Sequence, residues 1–166
     1  MTMNENSKTQ LSLPSDQEIL VTRTFDAPRN VVWQMWTTAE HLQNWWGPSG
    51  WSLPVCELDF RTGGTWFYCM LGPDGMQSCG KATYLEIDAP ERIVYEDAFT
   101  DGEGNPAEGM PVAHITLEFV EAGNKTTVVN TVCYPTKAER DMVLEMGVQA
   151  GIDETWNRLE AYLERK

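Results

Sequence analysis

The sequence predicts an α+β domain in which about seven antiparallel strands are followed by one long C-terminal helix lying across the sheet. Three observations carry this. The middle of the chain runs in apolar-polar segments of about 5 to 10 residues, each closed by a turn signal. The last segment repeats apolar residues at spacings of three and four. Between the first strand and the hairpins, helical spacing returns just long enough for two short helices.

Residues 18–25 alternate, with Ile19 and Val21 on one side, and Asp26-Ala27-Pro28 breaks the pattern. This predicts a strand followed by a helix with Pro28 in its first turn. Val32, Trp33 and Trp36 fall at helical spacing, and Thr38-Ala39-Glu40-His41 opens a second short helix ending near Trp46-Gly47. Turn signals then stand at Arg61-Thr62-Gly63-Gly64, Gly72-Pro73-Asp74-Gly75 and Ala89-Pro90. In the second of these, Pro occupies the position a type I turn favours and Gly the position that must take positive φ, so a hairpin is predicted there. Residues 100–111, rich in Gly and Pro, predict a longer exposed loop before strands at 112–120 and 125–134, themselves joined by a turn at Glu121-Ala122-Gly123-Asn124. Thr136-Lys137-Ala138-Glu139 is a capping-box pattern opening a helix that runs to about Leu163. Its stripe is Leu144, Val148, Ile152, Trp156, Leu159 and Leu163. Gly147 and Gly151 interrupt it, although a helix-interior glycine costs on the order of 1 kcal/mol relative to Ala. Two explanations are open: clearance for a ligand, or close approach of the helix backbone to the sheet.

The 166 residues suffice for one domain with a real core. A polar tail over residues 1–16 is expected to be disordered and to precede a single domain at 17–166. The tail has neither a basic start nor an apolar stretch, so it does not read as a secretory signal, and a cytoplasmic location is expected. No apolar run approaches the roughly 20 residues of a membrane span. Acidic residues outnumber basic ones 25 to 12, a field that repels phosphate backbones and anionic lipid heads, so nucleic acid is not an expected partner. Cys56, Cys69, Cys79 and Cys133 contain no C-x-x-C pair and are expected to be reduced. Opposing residues across the Pro73-Asp74-Gly75 loop puts Cys69 opposite Cys79. A two-residue Thr62-Gly63 loop would put Cys56 opposite Cys69 and align three thiols, whereas a three-residue loop would not. No metal site and no cofactor are implied, and no Ser-His-Asp set or phosphate loop is present.

The motifs Arg23-x-Phe25-x-Ala27-Pro28, Val32-Trp33, Trp45-Trp46-Gly47-Pro48, Glu57-Leu58-Asp59-x-Arg61-x-Gly63-Gly64, Gly72-Pro73-Asp74-Gly75, Pro90-Glu91-Arg92-Ile93 and Ile115-Thr116-Leu117 resemble the bacterial branch of the START and birch-pollen-allergen superfamily. Specifically, the chain resembles the family named after the activator of the heat-shock protein 90 ATPase. The resemblance, over about residues 18–163, implies a helix-grip fold, with a curved sheet wrapped around the last helix. It also implies a cavity for a lipid-like, polyketide-like or other aromatic molecule, and polyketide cyclases share the superfamily.

On that expectation the ligand-binding residues are Trp33, Trp36, Trp45, Trp46, Trp51, Trp66, Tyr68, His114, Gly147, Gly151 and Glu154. The tryptophans of His41 to Trp51 would either cover a ligand at the cavity rim or plug the end of the sheet. A non-catalytic binding protein is the first expectation. A cyclase-like enzyme is the second, with Glu57, Tyr68, His114 and Glu154 as its candidate polar groups. Docking to a chaperone in a stress response is the third. In the named activator that role also uses a separate N-terminal domain, expected to be missing here, so the name transfers poorly. Glu57, Asp59 and Arg61 share one face of an alternating strand, and a carboxylate-guanidinium pair is expected among them. His41 and His114 stand too far apart in sequence to suggest a metal site. A protein partner and a homodimer through the Trp rim are left open.

Overall fold

The elements follow from these local signals in the computed structural model, which describes residues 8–165. They are β1 (Gln10–Ser12), β2 (Glu18–Phe25), α1 (Arg29–Thr37), α2 (Ala39–Trp45), β3 (Ser52–Leu58), β4 (Thr65–Leu71), β5 (Gln77–Asp88), β6 (Arg92–Thr100), β7 (Val112–Ala122), β8 (Lys125–Cys133), α3 (Lys137–Glu145) and α4 (Val148–Glu164). One antiparallel sheet of 8 strands has the order β1-β2-β8-β7-β6-β5-β4-β3. Strands β3 to β8 form a meander. Helices α1 and α2 carry the chain from β2, near one edge, to β3 at the other. The inner face, with α4 laid against it, holds the core: Ile19, Val21 and Phe25 of β2, Trp66 and Tyr68 of β4, Leu117 and Phe119 of β7, and Trp156 and Leu159 of α4 are all buried. This is the helix-grip arrangement.

The turn chemistry accounts for the hairpins. Gly75 takes φ of +79° in the Pro73-Asp74-Gly75 loop, and Gly72 N–H donates to the Met76 carbonyl at 2.8 Å, which sets Cys69 opposite Cys79. At α3 the Thr136 hydroxyl accepts from Glu139 N–H at 3.1 Å, as the capping box requires. Pro28 stands one place outside α1, as its N-cap residue.

Several expectations are corrected. The sheet has 8 strands, because Gln10–Ser12 pairs with β2. Within the expected tail, residues 1–7 lie outside the described residues, while β1 is ordered beside the core. Fully buried Arg23 accounts for this: it donates to Thr9 Oγ1 at 3.0 Å and Asn157 Oδ1 at 2.8 Å, and stands 3.3 Å from Glu160 Oε2, which joins the N-terminal segment to α4. The long C-terminal helix is two helices, because Gly147 takes φ of +89° between α3 and α4. A residue with a Cβ disfavours that conformation, so Gly147 marks a helix break rather than clearance or close approach.

The thiol ladder is also corrected. Asp59 N–H donates to the Thr65 carbonyl at 2.9 Å, so the first hairpin closes with a longer connection than Thr62-Gly63. Val55 then opposes Cys69, and Cys56 opposes Tyr68 on the other face. The thiols are not all reduced: Cys69 and Cys79, directly opposed with Cα atoms 4.1 Å apart, form a disulfide, while Cys56 and Cys133 are free.

Candidate ligand-binding cavity

The tryptophans of α1, α2 and the loop after α2 form an edge-to-face series from core to cavity wall. Trp36 meets Trp45 at 4.7 Å between centroids, Trp45 meets Trp46 at 5.4 Å, and Trp46 meets Trp66 at 4.8 Å. Trp45 is fully buried and its indole N–H donates to the Met35 carbonyl at 3.1 Å, fixing α2 against α1. Trp46, one residue on, faces a cavity of about 280 Å3 between α4 and the inner face of the sheet. Its wall carries the rings of Trp36, Trp46, Tyr68, Tyr95, Tyr134 and Trp156, with Ile115, Leu117, Val132, Val148 and Ile152 between them. Gly47, Pro48 and Pro111 border it from the loops.

Helix α4 holds that border in place. Arg158 donates to the Gly47 carbonyl at 2.7 Å and to the carbonyls of Trp46 and Pro48 at 3.3 Å each. Burial lowers the Arg158 pKa from its ordinary value. Ser49 N–H donates to Glu154 Oε1 at 3.2 Å. The Trp45-Trp46-Gly47-Pro48 turn is thus bound to the helix that faces the cavity.

Glycine on α4 leaves the space open. A Cβ built at Gly151 would meet no heavy atom within 4 Å, although Gly151 lines the cavity. Close approach to the sheet therefore does not explain it, whereas clearance does. Gly80 on β5 has the opposite reason. It stands opposite Tyr68, and a Cβ there would overlap the Tyr68 phenol. Without that Cβ the Tyr68 ring crosses β5, and its hydroxyl donates to the Asp97 carboxylate on β6, at 3.0 Å to Oδ2 and 3.2 Å to Oδ1.

Asp97 is the acid of this cavity. Burial lifts its carboxyl from 3.8 to about 6, and the Tyr68 hydrogen bond offsets part of that rise. The Tyr68 and Tyr95 hydroxyls are raised well above the ordinary phenol value, first by burial and then by the Asp97 charge. Tyr134 is pushed up to about 12 for the same two reasons. These phenols stay protonated, and that of Tyr68 is the hydrogen-bond donor to Asp97.

Of the residues singled out in the sequence, Trp36, Trp46, Tyr68 and Gly151 line the cavity. The others are placed elsewhere. Trp33 packs on Phe60 and Phe119. Trp45 and Trp66 are buried behind Trp46, and Trp51 lies against Gly72, where a Cβ would touch its ring. His114 is exposed on β7, opposite Glu96. Gly147 is at the helix break, and Glu154 anchors Ser49 from outside. Glu57 is exposed, and Asp59 pairs with Arg61 at 3.0 Å on the surface. His41 Nδ1 is 2.7 Å from the Tyr162 hydroxyl. Among the described residues no cluster of His, Cys, Asp and Glu is arranged to hold a metal ion.

Asp97, Tyr95 and Tyr134 escaped the sequence reading. One signal was available: Ile93, Tyr95, Asp97 and Phe99 share one phase of β6, so a carboxylate occupies a position that alternation assigns to the inside.

Fold and cavity together define a helix-grip protein with an aromatic-walled pocket between its sheet and last helix. The chain belongs to the family of activator of Hsp90 ATPase homolog 1-like proteins, whose model matches residues 26–164. It is similar to protein Ms6760 of Mycobacterium smegmatis, at 29% identity and a TM-score of 0.86, covering 93% of this chain and 96% of that one. A solution structure from Staphylococcus epidermidis is similar at 36% identity and a TM-score of 0.82, covering 94% of each chain. One from Arthrobacter aurescens follows at 27% identity and a TM-score of 0.87, covering 95% of this chain and 92% of that one. No curated protein matches the chain.

Proposed function

We propose that this protein binds a small apolar or aromatic molecule, lipid-like or polyketide-like, in the cavity between its sheet and α4, without transforming it. The observation that carries the reading is Gly151: a helix interior gives up stability there, and the space it opens is cavity. A ligand in that space would exchange water for the aromatic and aliphatic wall, gaining about 25 cal/mol per Å2 of apolar surface before the costs of binding are met. The ligand site comprises Trp36, Trp46, Tyr68, Gly151 and the wall around them. Trp46 reports on it, being both a wall residue and a fluorophore.

The test is tryptophan emission together with melting temperature across fatty acids, flavonoids, polyketides and steroids. The expected result is a class of compound that quenches emission and raises the melting temperature, by the equivalent of about 2.7 kcal/mol at a hundredfold excess over Kd. A flat panel on folded protein, with an uncharged and a cationic aromatic probe included, overturns the reading.

One observation favours a cyclase-like enzyme as the second reading. Asp97, with a pKa of about 6 beside the Tyr68 hydroxyl, is poised for proton transfer. Turnover lost in Asp97→Asn while ligand affinity and folding persist would establish it. The family name speaks of activating a chaperone ATPase, but no feature of the cavity calls for a protein partner. Among the described residues no helix is long and apolar enough to cross a membrane. A cytoplasmic location is part of the proposal, and fractionation of the native cell tests it.

A further inference from the structure

The Asp97 carboxylate is short of partners. An ionised carboxylate offers about four acceptor positions, and the hydrogen bond to it from a side chain comes from the Tyr68 hydroxyl. Among the described residues no Lys, Arg or His lines the cavity, and no ion pair involves Asp97. A second acceptor on the same wall, Asn130 Oδ1, is buried with no hydrogen-bond partner. The cavity therefore presents negative charge and acceptor atoms without a matching cation. Around them stand the π faces and edges of Trp36, Trp46, Tyr68, Tyr95, Tyr134 and Trp156, side chains that attract a cation held near their faces.

These features select among ligands. A fatty acid or other carboxylate would bring a like charge toward Asp97 in a poorly solvated site and is disfavoured. A pure hydrocarbon would leave the carboxylate buried without its missing donors. A neutral alcohol would supply one donor but no charge. An ammonium group supplies both, through a charge-assisted hydrogen bond to Asp97, while an attached ring system fills the apolar remainder. Resting on the cavity-binding reading above, we propose that the ligand is an aromatic or polycyclic amine whose ammonium group pairs with Asp97.

The experiment uses three probes with one ring system and different heads: naphthylethylamine, naphthylethanol and naphthylacetate. Each is titrated into the full-length protein and into Asp97→Asn by tryptophan emission and melting temperature. The expected order in the wild type is amine, then alcohol, then carboxylate, with the amine tighter than the alcohol by about tenfold. In Asp97→Asn the amine's advantage disappears while the alcohol still binds. Should that variant fail to fold, the wild-type order decides, and Tyr68→Phe, which keeps the carboxylate, should preserve it. If alcohol and amine bind the wild type equally, or carboxylate binds best, the amine assignment is overturned while the cavity reading stands. If no probe binds while the uncharged dye Nile red is taken up, the amine assignment falls and the cavity reading stands; if Nile red is not taken up either, both fall.

Discussion

Replacing Asp97 by Asn should stabilise the ligand-free protein at neutral pH and leave it unchanged in acid. Burial raises the Asp97 carboxyl from 3.8 to about 6. Between those two values the folded protein retains a proton that the unfolded chain has lost. Stability therefore falls as pH rises through this window, and the whole cost is carried above about pH 6. The difference of about 2 pH units corresponds to on the order of 3 kcal/mol, a ceiling because water admitted to the cavity would solvate the carboxylate. The tyrosines around Asp97, namely Tyr68, Tyr84, Tyr95 and Tyr134, are all raised above the ordinary phenol value and do not titrate in this window. Asn is uncharged throughout and retains an oxygen to accept from Tyr68. Near pH 8 the variant should therefore melt higher by several degrees, at roughly 2 to 4 °C per kcal/mol for a chain of this size. Near pH 4 most of the gain should be gone. Calorimetric melts of both proteins at the two pH values decide it. A variant less stable than wild type near pH 8, or a gain equal at both pH values, would refute the argument that a partly buried, under-solvated charge is being carried.

Gly80→Ala should cost about 1 to 3 kcal/mol by displacing the Tyr68 ring, and chemical denaturation will show whether it does. Gly151→Ala should stabilise by up to about 1 kcal/mol, since its Cβ enters empty space at a helical position. Gly151→Leu should keep the melting temperature while abolishing binding of any ligand found, because the larger side chain occupies the cavity. Gly147→Ala should instead destabilise by about 1 kcal/mol, because the position has positive φ. Thiol titration of unreduced, denatured protein should find the two free cysteines, Cys56 and Cys133, and find all four only after reduction.

Secondary structure was legible wherever local chemistry decides it. The capping box at Thr136, the Pro73-Asp74-Gly75 turn and the alternation of Glu18–Phe25 each specify their element without distant contacts. The motif resemblance supplied the global arrangement that local signals do not contain. What escaped depended on backbone conformation or on register. Gly147 reads the same in sequence whether it kinks, opens or ends a helix, and its positive φ emerges only from how α3 and α4 meet. Strand β1 was hidden because three residues carry too little pattern, and it is anchored by Arg23 of β2, which bonds Thr9 just before it. For the site, residue type misled. Tryptophan predicts burial in general, so the rings of the core and of the cavity wall looked alike. His114 and Glu154 are polar and functional by type, but their elements turn them outward. Asp97 is legible only from the phase of β6, which it shares with Ile93, Tyr95 and Phe99, and not from its residue type.

Local sacrifices give the cavity its strongest physical warrant. A partly buried carboxylate on β6 and a helix glycine on α4 each lower stability where they stand. They lie on separate elements, and packing within the domain explains Gly80 only through Tyr68, which in turn reaches Asp97. A core selected for stability alone would place Ala at position 151 and an apolar residue at position 97. Gly151 leaves room, Gly80 admits the Tyr68 ring, and Asp97 supplies charge, all on one space beside Trp46. Costs that converge on one volume are what the proposed binding function requires, since on that proposal the missing favourable interaction comes from a molecule held there.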